Sequence, residues 1–276
     1  MTPSSQPEGE LIPPYNDAAA RPMPDYTQET APRSTRGRTV LSAPGTYFLL
    51  ASNCAVFLWM VLHNVSPTSP TPNQLIHFGA NVPALVLHGQ WYRLLTATFV
   101  HVGLIHLATN MWCLWNLGLL GEPLLGPLGL VAVYMLTGIA GNLLSLGVNV
   151  VLRDNNSVGA GASGAVFGIA GILIVLLSNH KLPIPVFELK RLRRSVIQFA
   201  ALNLIIGLST AVVPVGIRID NSAHLGGFLF GLGLGVPLVP RMTSGRTRYL
   251  QRQKITFSGA AFFLALFGYW IANLHL

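Results

Sequence analysis

Two places in the chain combine residue types and spacing that admit chemistry. Ser163 stands in Gly161-Ala-Ser163-Gly164, near the head of a long apolar run. His224 lies in Ser222-Ala-His224-Leu-Gly-Gly227, ahead of glycines repeating every fourth position at Gly227, Gly231 and Gly235. A neutral hydroxyl is a poor nucleophile until a base takes its proton, and a histidine can both take that proton and pass it to a leaving amine. Attack on a carbonyl creates an oxyanion that needs preorganised donors. The backbone N–H of Ser163, near a helix start where N–H groups lack intrahelical partners, is one candidate. His106 and Asn110, four apart and so on one helix face, are two more. Asp220 lies one turn before His224 but at the span boundary, so a dyad is expected rather than a triad.

Each residue also has a plainer role. Serine in an apolar helix commonly helps two helices pack, and a histidine or asparagine there can bond between helices for about 0.6–2 kcal/mol. His101 is expected to be structural or to line a cavity, and Glu122 to brace the inner end of its helix. What weighs against the plain readings is the glycine pattern. Gly164 and Gly168 share a face without side chains, as do Gly227, Gly231 and Gly235. Two such ridges suit close packing, which would bring His224 beside Ser163.

The elements that must position these residues follow from composition. With 51% apolar and 9% charged residues, the chain cannot be covered by polar surface and reads as a membrane protein. Its net charge of +8 would suggest nucleic acid in a soluble chain, but here the basic residues sit in short loops, where orientation in a bilayer explains them and nucleic acid is not expected. Cys54 and Cys113 fall inside apolar runs and support neither a disulfide framework nor a zinc site.

Residues 1–43, rich in Pro, Ser and Thr, read as a disordered cytoplasmic tail, with no apolar core directly after Met1 to suggest a secretory leader. Spans are expected over 44–63, 103–120, 127–150, 161–179, 195–213, 222–239 and 255–274, each near the roughly 20 residues that cross a bilayer. The stretch 64–100 is expected to fold at the outer face, with Trp91 and Tyr92 at the lipid boundary. Arg33, Arg36 and Arg38 place the amino end inside. The two most basic connections, with Lys181, Lys190, Arg191, Arg193 and Arg194 and then Arg241, Arg246, Arg248, Arg252 and Lys254, also fall inside. The outer connections hold Arg93, Arg153 and Arg218. Counted from the inner boundary at 1.5 Å per residue, Ser163, His224 and His106 lie at about 27, 25 and 24 Å, one layer beneath the outer surface.

At these residues the chain resembles the rhomboid intramembrane serine proteases, over about 73–240. Gly161-Ala-Ser163-Gly164 matches the family's Gly-x-Ser-Gly nucleophile motif, and Ala223-His224-x-x-Gly227-x-x-x-Gly231 its catalytic-histidine helix. His101-x-x-x-x-His106-x-x-x-Asn110 matches the oxyanion segment, Tyr92-Arg93 stands where the family has Trp-Arg, and Gly118-x-x-x-Glu122-x-x-x-Gly126 matches a further pattern. The resemblance implies an all-α polytopic fold with a six-helix core (44–240), a basic cytoplasmic loop (241–254) and an additional seventh C-terminal helix (255–276). It also implies an active site opening to the extracytoplasmic side, substrates that are transmembrane segments of membrane proteins entering from lipid, and neither metal nor cofactor. Phe167 stands where the family often has a tyrosine stacked on the catalytic histidine, keeping the ring and losing the hydroxyl.

Two other functions remain open. A transporter would also line a wet path with polar groups, although no internal repeat of spans and no buried charge to couple ions is expected here. A catalytically inactive rhomboid-like binding protein would lack the serine or the histidine. Metal-dependent hydrolysis fits poorly, since no His-Glu-x-x-His occurs and His101 and His106 diverge around a helix.

Overall fold

The computed structural model describes residues 42–180, 182–212, 220–239 and 245–274, with side chains excepted over 206–212. The chain divides into Met1–Thr39 and Val40–Leu276, and the fold concerns the second unit. The expected tail therefore lies outside the described residues but for its last two, and so do Lys181, Arg218 and Arg241.

Among the described residues there are ten helices in order: α1 (Pro44–Leu62), α2 (Pro72–His77), α3 (Pro83–Leu87), α4 (Arg93–Thr96), α5 (Leu104–Leu125), α6 (Pro127–Leu152), α7 (Ser163–Leu176), α8 (Val186–Val212), α9 (Asn221–Leu238) and α10 (Gly245–Ala272). The protein is an all-helical membrane protein. By length and composition α1, α6 and α10 are each able to cross a bilayer unaided, whereas α5 and α9 carry the polar residues read above as functional.

α7 is the hub. It is apolar all round, which suits a core or a bilayer, and here α5, α6, α8 and α9 all pack against it. Residues 164–173 are buried without a break. α7 has 14 residues rather than the expected span over 161–179, and at 1.5 Å per residue it covers about 20 Å, short of the hydrocarbon thickness. Its enclosure explains why that suffices. Irregular backbone is tolerated at membrane depth where protein covers it or a wet cavity meets it. The segment leading into Ser163 is held that way: Asn81 and Gly159 exchange backbone hydrogen bonds of 2.8 and 2.9 Å, and Gly161 N–H donates to Ala97 O at 2.9 Å.

Other boundaries differ from the sequence expectation for local reasons. α5 runs on to Leu125, through Glu122 and Pro123. The Glu122 carboxylate accepts from Gly45 N–H (2.8 Å), Thr46 N–H (2.7 Å) and Thr46 Oγ1 (2.7 Å). The first turn of α1 has no side-chain cap of its own, and a carboxylate from another helix supplies it. α8 and α10 begin within the basic stretches, so Lys190–Arg194 and Arg246–Lys254 are helical rather than loop. α10 starts ten residues before 255 because its first turns dock: Tyr249 Oη donates to Leu124 O at 2.9 Å and Gln253 Nε2 to Leu125 O at 2.7 Å, satisfying carbonyls at the end of α5.

The stretch 64–100 folds into α2, α3 and α4. Arg93, read above as an outer-loop charge, is buried and donates to Ile76 O (2.7 Å), Ala80 O (3.0 Å) and Gln90 Oε1 (2.7 Å). Trp91 lines a groove between α6 and α10, against Gly268, and Tyr92 is exposed. Buried charges do exist, contrary to expectation; both Arg93 and Glu122 are spent on hydrogen bonds within the fold, most of them to backbone groups.

Candidate active site

The contact that builds the site is α7 against α9. A Cβ placed on Gly227 would lie 2.0 Å from Gly164 O, one on Gly231 2.1 Å from Gly168 O, and one on Gly171 2.4 Å from Phe228 O. Only glycine permits backbones this close, so the two ridges read in the sequence do meet. At the start of α9, Ala223 O wedges between two helices, 2.6 Å from a Cβ on Gly141 of α6 and 3.3 Å from one on Gly164. Ala223 and Gly164 are the chain neighbours of His224 and Ser163, so the packing brings those two side chains to one place.

They share a cavity of about 580 Å³. Its lining includes His106 and Asn110 from α5, Ser163 and Phe167 from α7, and Asp220 and His224 at the start of α9. Ser163 opens α7, where its N–H is among those without an intrahelical partner. Ser163 and His106 are half-buried, and Asn110 and His224 buried. His224 is pinned by Phe167, whose ring stacks on the imidazole at a centroid separation of 4.5 Å and 14° between planes. Among the described residues, His224 Nδ1 is buried without a hydrogen-bond partner. Among the described residues no hydrogen bond joins Ser163 to His224, and catalytic hydrogen bonds commonly tighten only on substrate binding.

The other end of the cavity is set by α5. Asn110 Nδ2 donates to His106 O at 2.9 Å, one bond from a group with two N–H. His106 Nδ1 accepts from Val102 N–H at 3.4 Å, which assigns the proton of the neutral ring to Nε2 as a donor. That ring lies against Gly161, whose φ of +136° suits glycine alone and where a Cβ would stand 2.6 Å from His106 Cε1. His101, outside the helices, is fully buried with Nδ1 3.1 Å from Phe99 O and Nε2 3.5 Å from Ala162 N. Burial, helped by the nearby His106, pushes its imidazole down to about 3, so it is a neutral prop under the Gly161–Ser163 turn. The arrangement sets a hydroxyl, two imidazoles and an amide around one cavity.

Sequence reasoning set Asp220 aside as a boundary residue, and it passed over Asn142 of α6 and Asn203 of α8, which also line the cavity. Asp220, on the His224 face, carried a signal in its spacing; Asn142 and Asn203 carried none. Among the described residues no group of three or more His, Cys, Asp or Glu is placed to hold a metal ion.

Comparison with known proteins supplies the remaining context. The Rhomboid domain family model matches residues 88–241. Rhomboid protease GluP of Bacillus subtilis (strain 168) is 34% identical over 197 residues, covering 70% of this chain and 35% of that protein. Rhomboid protease AarA of Providencia stuartii is 32% identical over 213 residues, covering 71% of this chain and 73% of that protein. RHOMBOID-like protein 5 of Arabidopsis thaliana is 34% identical over 184 residues, covering 66% and 54%. The match thus spans about a third of the first of these relatives and about half of the third.

Proposed function

The chain belongs to the rhomboid family, and we propose that it is an intramembrane serine endopeptidase that cuts transmembrane segments of other membrane proteins with a Ser163–His224 dyad. The observation that carries this reading is the backbone-close packing of α7 on α9, beside which a serine and a histidine line one cavity with two oxyanion donors.

His224 takes the proton of Ser163 Oγ as the oxygen attacks the scissile carbonyl. The developing oxyanion accepts from Ser163 N–H, His106 Nε2–H and an Asn110 N–H. His224 then returns the proton to the leaving amine, and water admitted by the cavity hydrolyses the acyl-enzyme by the same steps. Among the described residues no carboxylate bonds His224, so stacking on Phe167 and the position of α9 take over the orienting role that an aspartate plays in a triad. We read 44–240 as the catalytic core with α10 added to it, the amino end cytoplasmic, and the cavity opening to the opposite side. The basic residues at the starts of α8 and α10 support that orientation.

Solute transport is the rival from another class. Against it, the buried charges Arg93 and Glu122 are tied within the fold by hydrogen bonds and neither lines the cavity. The test is a purified chain in proteoliposomes with a model transmembrane substrate. The wild type cleaves it and Ser163→Ala does not; a Ser163→Ala protein that cleaves equally well, or that moves a solute across the membrane, overturns the proposal.

A further inference from the structure

Among the described residues His224 has no hydrogen bond at Nδ1 to aim its ring, so its aim depends on where the first turn of α9 sits. One carboxylate fixes that turn. Asp220 Oδ1 accepts from Ser222 N–H and Ala223 N–H, both at 3.1 Å, and from Ser222 Oγ, while Asp220 O accepts from His224 N–H at 3.3 Å. The other oxygen, Oδ2, accepts from Ser145 Oγ on α6, and that hydroxyl accepts from Asn149 Nδ2 at 3.3 Å. An N-cap normally ends within its own helix. This one reaches across to a second helix, and lies on the same face as His224, one turn before it.

We propose that Asp220 and Ser145 are positioning residues: their hydrogen bond registers α9 against α6 and so sets the distance from His224 to Ser163. The inference rests on the dyad reading. The glycine contacts hold the body of α9 against α7, and Ala223 O is seated against Gly141 and Gly164. Those are backbone contacts. The Asp220–Ser145 bond adds the side-chain tie between the first turn and α6, one turn before His224 and on its face, and slack there would let the imidazole shift off Phe167 and away from Ser163.

The test is the rate at which a fluorophosphonate modifies Ser163 in the full-length protein in mild detergent, normalised to folded protein. Ser145→Ala lowers that rate about tenfold or more, and Ser145→Thr, which keeps the hydroxyl, restores most of it. Asp220→Asn, which keeps an acceptor for the two amides and can donate to Ser145 Oγ, retains more activity than Asp220→Ala. Gln253→Leu removes a buried interhelical hydrogen bond of similar size at the far end of the fold and labels at the wild-type rate. In substrate cleavage Ser145→Ala loses kcat and keeps KM. The inference falls if Ser145→Ala labels like wild type, if Ser145→Thr is no better than Ser145→Ala, or if Gln253→Leu is equally slowed. A wild-type chain not labelled at Ser163 removes the dyad itself, and this inference with it.

Discussion

The imidazole of His224 lies flat on the ring of Phe167, centroids 4.5 Å apart and planes 14° from parallel. Phe167 is one turn after Ser163 on the same helix, so the ring links the proposed base to the element that carries the proposed nucleophile. Aromatic pairs of this kind are worth about 0.5–1.5 kcal/mol beyond area, which corresponds to about 2- to 10-fold in rate. Phe167→Leu is expected to lower kcat by that factor in a proteoliposome cleavage assay, while Phe167→Tyr keeps the stack and stays near wild type.

Two glycines of α9, one on the ridge and one off it, make opposite predictions. Gly227→Ala would put a methyl 2.0 Å from Gly164 O, so α7 and α9 must part; cleavage is expected to vanish and the thermal unfolding midpoint to fall. Gly233 has nothing within 4 Å of a would-be Cβ. Gly233→Ala therefore keeps activity, with an unchanged or raised midpoint, since alanine is about 0.8–1.0 kcal/mol the better helix former.

These contrasts show where the sequence was informative. Ser163, His224 and the glycine periods were legible because small-residue spacing speaks directly to which helix faces can touch, and Phe167 followed from the family resemblance. The limits of α7 and α10 were not, because hydropathy measures apolar length and neither the wrapping of a short helix by its neighbours nor the docking of Tyr249 and Gln253 on α5 leaves a hydropathy signal. Arg93 misled for a similar reason: a charge that bonds three acceptors from separate turns looks, in one dimension, like any loop arginine. Asp220 was noticed, but its partner Ser145, 75 residues away, has no local pattern that marks it.

Asn110 and His106 are proposed to act on the transition state rather than on binding. Loss of one such donor typically costs about 100- to 1000-fold in turnover. Asn110→Ala is expected to fall in kcat by that range with KM little changed, and an Asn110→Ala protein of normal kcat removes Asn110 from the role.

Glu122 is predicted to matter for stability alone. Glu122→Ala strips three hydrogen bonds from the first turn of α1 and leaves buried donors unsatisfied, a cost of at least about 2 kcal/mol. Reversible unfolding in mild detergent measures it. The fraction still folded is expected to react with a fluorophosphonate at the wild-type rate, and a slowed reaction would tie Glu122 to the site.

The joint use of Ser163 and His224 is tested most directly by mapping the residue that a fluorophosphonate modifies, by mass spectrometry, in the wild type and in Ser163→Ala and His224→Ala. The expected result is one adduct, on Ser163, absent from both variants. An adduct on another serine, or a His224→Ala protein modified as fast as wild type, would contradict it.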